Sequence, residues 1–144
     1  MAAEGLKLTS FYAQPVCGVS RAALMTGCYP IRIGEPGNLK RLHTVPHPKE
    51  VTMAEVLKSA GYATALIGKW HLTNKKASDP GGYDQTTMPN AQGFDYYWGT
   101  LGANDGGRVR FHHNNKPDGK TADMASLTRI YTDKAIAFMK ANKD

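Results

Sequence analysis

Apolar and polar positions alternate at the start of the chain. Residues 6 to 13, Leu-Lys-Leu-Thr-Ser-Phe-Tyr-Ala, then turn apolar, a pattern that predicts a strand ended by Pro15. Ser20 is a natural N-cap, and Ala22, Ala23, Leu24 and Met25 after it predict a short helix closed by Gly27 at a left-handed position. Cys17 then falls in the turn between strand and helix. Pro30, Gly34, Pro36, Gly37, Pro46 and Pro48 make residues 30 to 50 too broken for regular structure and predict a long surface loop.

Periodicity is clearer further on. Thr52 and Glu55 are spaced as a capping box, and Met53, Val56, Leu57 and Ala60 share one face of the helix they begin, which Gly61 stops. Residues Tyr62 to Ile67 form a short apolar run, as expected of a buried parallel strand, with Gly68, Lys69, Trp70 and His71 riding on its carboxyl end. In open α/β sheets ligands bind at that end of a strand. Residues 72 to 93 are polar and rich in Gly and Pro and read as loop, and Phe94 to Trp98 is an aromatic patch suited to packing on the sheet. A Gly/Asn/Asp-rich loop follows, and then Leu127, Ile130, Tyr131, Ala135 and Phe138 recur at helical spacing, predicting an amphipathic helix over 125 to 141. The sum is an α/β chain: a small, mostly parallel sheet with flanking helices and long loops.

Composition narrows the function classes. A length of 144 residues allows one modest domain. Lys and Arg total 18 against 12 Asp and Glu, a formal net charge of +6. The cations are scattered (Lys40, Arg41, Lys75, Lys76, Arg108, Arg110, Lys140, Lys143), with no basic run and no interleaved aromatics, so no nucleic-acid partner is expected. Such a surface instead attracts anionic small molecules. No apolar stretch approaches the ~20 residues of a membrane helix, so no membrane partner is expected, and no signal-peptide layout begins the chain, so a cytoplasmic location is expected. Cys17 and Cys28 make neither a disulfide framework nor a paired zinc set.

Two segments carry candidate chemistry. In Cys17-Gly18-Val19-Ser20-Arg21, a cysteine beside a helix N-terminus meets unpaired N–H groups and the positive end of the dipole, and Arg21 adds a full charge. Such a thiol is activated and an anion is held there too; the plain alternative is a buried, inert thiol. In the second segment Lys69 and His71 are two apart, so persisting strand geometry would aim both to one side and Trp70 away. A fixed cation beside a titratable proton donor is what an ester oxyanion needs.

These residues resemble a known family. Cys17 through Gly27 is similar to the first signature of type I sulfatases, Cys-x-Pro-Ser-Arg-x-x-x-x-Thr-Gly, and Gly61 through His71 to their second. The lead-in Ser10 to Val16, the segment Gly93 to Gly99 and the run Tyr131 to Ile136 also resemble the family, so the likeness spans the chain. It implies a partial sulfatase-like fold, of the alkaline phosphatase superfamily. It further implies that Cys17 is the residue converted to formylglycine, whose hydrated aldehyde is nucleophile and metal ligand, and whose second hydroxyl can expel the sulfate by elimination. Arg21 would brace it, Lys69 and His71 would contact the sulfate group and the nucleophile, and Ser20 would join Lys69 and His71 in binding substrate. The metal of the full family is calcium.

The sequence also departs from that pattern. Val19 stands where the modification motif prefers Pro or Ala, which could leave Cys17 a thiol. The family's paired metal-binding aspartates belong upstream of residue 1, and the remaining ligands, a second histidine and a lysine belong beyond residue 144. Residues 1 to 144 are therefore expected to be a single truncated sulfatase-like domain, with Met1 to Leu6 similar to the end of a helix; full-length relatives are often exported. Of the metal ligands only Cys17 remains. A substitute site would recruit His112 and His113, adjacent in a loop near Asn104 and Asp105, while His43 and His47 sit in the Pro-rich loop. Imidazoles favour zinc or manganese, and solvated loop histidines are the alternative. Half a sheet exposes strand edges, so a homo-oligomer, most simply a dimer, is expected. The expected function is hydrolysis of sulfate or phosphate esters by a reduced, metal-assisted site acting on an anionic ester. The runner-up is a non-catalytic anion-binding or assembly fragment, followed by a truncation product with neither property.

Overall fold

The computed structural model describes residues 2–33 and 45–143; His43, Lys40 and Arg41 lie outside the described residues. Among the described residues the elements, in chain order, are α1 (Cys17–Thr26), α2 (Pro30–Ile33), α3 (Met53–Ser59), β1 (Ala65–Lys69), β2 (Tyr96–Thr100), β3 (Val109–His113), β4 (Lys116–Thr121) and α4 (Leu127–Ala141), with four short 3-10 turns between them. One mixed sheet in the order β1-β2-β3-β4 supports them. Parallel pairing is confined to β1–β2, whose register sets Gly68 opposite Gly99 and Lys69 opposite Thr100. The pairs β2–β3 and β3–β4 are antiparallel.

Local signals set several boundaries. Thr52 caps α3 from both directions, accepting from the Glu55 N–H while the Glu55 carboxylate accepts from the Thr52 N–H, so the expected capping box is present. Gly27 closes α1 at φ 68, a left-handed backbone that needs no Cβ. Gly61, at φ 87, ends α3. The expected helix near the C-terminus is α4, and the strand expected before Gly68 is β1, displaced a few residues toward the carboxyl end.

Other expectations are corrected. No strand forms over residues 6–13: Leu6, Phe11 and Tyr12 are exposed, and among the described residues no neighbouring strand offers that segment hydrogen bonds. Residues 2–5 form a turn, not the end of a helix. Helix α1 begins at Cys17, with Val16 as N-cap, rather than at Ser20. The Pro-rich stretch opens with the one-turn helix α2. The aromatic patch is itself strand β2. The loop expected after it contains the β3–β4 hairpin, so His112 and His113 lie on a strand. There Asn114 turns the chain at φ 51, and its Oδ1 accepts from the Tyr97 N–H at 3.0 Å, tying the turn to β2.

The sheet separates two apolar clusters. On one face Trp98, Val109, Phe111 and Leu127 are buried under α4. Trp98 lies flat on Phe111 at 4.4 Å, Tyr131 meets it edge-on at 6.0 Å, and Lys134 sits 4.8 Å over its ring. The other cluster joins Ala22 and Met25 of α1 to Ala54 of α3, Trp70, Leu72, Met88, Phe94 and Tyr97. Gly99 belongs where it is because a Cβ there would strike the Gly68 carbonyl of β1.

Candidate active site

The sheet and α1 meet at the carboxyl end of β1. Trp70 extends the parallel ladder by one bond, its N–H donating to the Thr100 carbonyl at 2.9 Å, and its indole is buried with Nε1 donating to the Thr87 carbonyl at 2.9 Å. The backbone then leaves the strand, since His71 adopts φ 60. A left-handed non-glycine costs ~1–2 kcal/mol, so the surrounding structure must impose it. The strand geometry that would have aimed Lys69 and His71 to one side therefore stops at Trp70. It is this backbone turn, not strand alternation, that presents the His71 ring to α1.

Cys17 occupies the first residue of α1 and is exposed, which removes the alternative of a buried thiol. Its Sγ lies 3.5 Å from His71 Nδ1, across 54 residues of sequence. The first-turn N–H groups of a ten-residue helix open beside it, and charge that develops at the sulfur or on an oxyanion there meets the positive helix end. An imidazole in contact with a helix-end thiol can take up its proton.

Arg21 holds the two segments together. Its Nε donates to the Trp70 carbonyl at 2.6 Å and a terminal nitrogen donates to the Lys69 carbonyl. Half-burial lowers its affinity for a proton, opposed by the nearby Cys17 and Tyr97 groups. Two donors are thus spent on the backbone of the strand end, so Arg21 fixes the register of α1 against the residue preceding His71. Ser20 is likewise committed, its hydroxyl donating to the Gln14 carbonyl at 2.9 Å and tying the lead-in segment to α1. Lys69 closes β1, half-buried, and its ammonium joins no ion pair among the described residues.

Tyr97 is a neighbour that sequence reasoning treated only as part of an aromatic patch. Its ring is fully buried, its hydroxyl has no hydrogen-bond partner, and burial pushes its pKa well up, with Tyr131 adding to that shift and Arg21 opposing it. The alternation of β2 was the available signal, because Tyr97 and Gly99 share the face opposite Tyr96 and Trp98.

The histidines of the expected substitute metal site are placed apart. His112 is buried and meets Tyr83 edge-on at 5.8 Å, whereas His113 is exposed and lies 5.3 Å from Tyr96 on the α4 side. Successive strand residues point to opposite faces. His47 sits in a turn where its Nδ1 accepts from the Lys49 N–H. Among the described residues no three His, Cys, Asp or Glu side chains gather as a metal site. Calcium takes roughly six to eight oxygen ligands, and the Cys17–His71 pair, a sulfur and an imidazole nitrogen, does not fit it.

Comparison with known proteins assigns the chain. The sulfatase family model matches residues 1–144, and the chain belongs to the sulfatase family. It is 35% identical over 167 residues to an arylsulfatase of Hemicentrotus pulcherrimus, covering 99% of this chain and 29% of that one. It is 34% identical to the N-acetylgalactosamine-6-sulfatase of Sus scrofa, covering 97% of this chain and 30% of the relative. Among solved structures, Ps i-CgsB in complex with k-i-k-neocarrahexaose superposes with a TM-score of 0.65 at 26% identity, over 88% of this chain and 31% of that one. The chain thus spans about 30% of the length of these relatives and carries part of a sulfatase fold.

Proposed function

We propose that this chain hydrolyses sulfate or phosphate monoesters at a reduced sulfatase-like site centred on Cys17. The observation that carries this is the 3.5 Å contact between Cys17 Sγ and His71 Nδ1 at the N-terminus of α1. His71 takes the proton of the nucleophile at position 17, the first-turn N–H groups and Lys69 face the ester oxygens, and Arg21 keeps the strand end in place. Conversion of Cys17 to formylglycine, as in the wider family, supplies an aldehyde hydrate at the same position. Sulfate and phosphate esters share a tetrahedral anionic centre, and a site this open does little to separate them.

The reading extends to a homodimer. Among the described residues no strand pairs with the outer edge of β1, and beside it Met53, Val56, Leu57 and Tyr62 are exposed around grooves of about 420 and 360 Å³ between α1, α3 and β1. A second copy pairing along that edge covers them.

Hydrolysis of an aryl sulfate and an aryl phosphate, with chelator and with added calcium, zinc or manganese, tests the site. Cys17→Ala and His71→Ala are each expected to lower turnover by about 10²-fold or more. Turnover untouched by both substitutions would sink the proposal, and saturable sulfate binding without turnover would favour the anion-binding alternative. Intact-mass measurement shows whether Cys17 is converted.

A further inference from the structure

Away from Cys17, a cleft of about 700 Å³ opens between residues 75–83 and the β3–β4 hairpin. Lys75, Tyr83, Arg110, His112 and Lys120 line it, and none of Cys17, Arg21, Lys69 or His71 does. No carboxylate is among its lining residues. The adjacent acid, Asp118, serves the opposite face of the hairpin, where it accepts from Trp98 Nε1 at 2.6 Å.

Among the described residues no ion pair compensates the charges of this cleft. Arg110 and Lys120 stand directly opposite one another in the β3–β4 register. Like charges facing across a strand pair destabilise it, and the ion pairs found among the described residues, Lys58–Asp95 and Lys76–Asp79, use neither of them nor Lys75. His112 borders the cleft, only 7% exposed, and its burial lowers the basicity of the ring, opposed by a hydrogen bond to the Arg110 backbone.

We infer that this cleft binds a tetrahedral oxyanion, a sulfate or phosphate group, at a site separate from Cys17. Three cationic side chains match the three or four acceptor oxygens and the double charge of such a group better than they match a carboxylate. Tyr83 and Pro117 give its walls an apolar component, so the oxyanion is best carried on a larger body that fills the volume. The inference does not depend on hydrolysis at Cys17.

Titration of the full ¹⁵N-labelled chain with sodium sulfate, sodium phosphate and, at matched ionic strength, sodium chloride tests it. Saturable amide shifts at Gly82, Tyr83, Gly119 and Lys120 are expected with sulfate or phosphate and not with chloride. The double variant Arg110→Gln/Lys120→Gln is expected to weaken binding by about tenfold or more, while Cys17→Ala leaves these shifts unchanged. Shifts that chloride reproduces, that cluster only around Cys17, or that persist at full affinity in the double variant overturn the assignment. Should the double variant not fold, acetylation of the unmutated protein decides: sulfate must protect Lys75 and Lys120 more than chloride does, and equal labelling overturns the site.

Discussion

Beneath α4, Trp98, Phe111, Val109 and Leu127 close on one another with aromatic stacking, an edge contact from Tyr131 and a lysine above the indole. Helix α3, on the far side of the sheet, buries only Ala54. Its expected core face, Met53, Val56 and Leu57, is 44%, 57% and 40% exposed. What holds α3 is mostly polar. Thr52 donates its hydroxyl to the Gln92 carbonyl, and Lys58 reaches Asp95, whose carboxylate also accepts from the N–H and hydroxyl of Thr64. A capping box is a local device that starts a helix; it does not tell which of the helix's faces another element will cover. Amphipathic spacing records a need for burial, and on the α3 side that need is unmet among the described residues.

Cutting into the stacked side has the largest expected effect on stability. Trp98→Ala removes the ring at the centre of that cluster and is expected to cost ~3–5 kcal/mol by urea denaturation. A cost below about 1 kcal/mol would mean the cluster is not the main closure. On the polar side, Asp95→Asn is expected to cost at most ~1 kcal/mol, because the pair with Lys58 is exposed and screened. The Lys58 ammonium first, then the Thr64 N–H and hydroxyl, hold the Asp95 carboxyl below its ordinary pKa. The native state thus releases its proton more readily than the unfolded chain, and the increment is present at neutral pH and lost as pH falls below about 4. Asp95→Asn should flatten that part of the pH–stability profile; an unchanged profile counts against the staple. Smallest of all, Val56→Lys with Leu57→Lys is expected to change monomer stability by less than ~0.5 kcal/mol. The same pair should shift sedimentation from dimer to monomer, whereas a stable monomer before substitution counts against the dimer.

The difference between the two sides also explains which elements could be read from the sequence. Helices α1, α3 and α4 and strand β1 were legible because caps, glycine stops and apolar periodicity are written within a few residues of one another. Strand β4 was not: Lys116 to Thr121 is polar throughout, exposed along almost its whole length and interrupted by Pro117 and Gly119. Those residues protect a sheet edge from unwanted pairing, and they also erase the alternation that announces a strand. With β4 hidden, His112 looked like a loop residue. The opposite error arose at residues 6–13, where alternation was present and, among the described residues, no partner strand was. A strand is a property of two segments, so its pattern in one segment is only half of the requirement.

The site divides in the same way. By itself the sequence determined that Cys17, Arg21, Lys69 and His71 stand in two motifs of the sulfatase family, and that the chain carries a scattered excess of cations. Only the tertiary structure decided what those residues meet. It turns His71 out of the strand toward Cys17, spends Arg21 on the backbone of Lys69 and Trp70, and sends His112 and His113 to opposite faces. It also draws Lys75 into one cleft with Arg110 and Lys120. Residue type and spacing fix the chemistry that is available, but side chains 54 positions apart come within 3.5 Å only when a sheet and a helix close on each other.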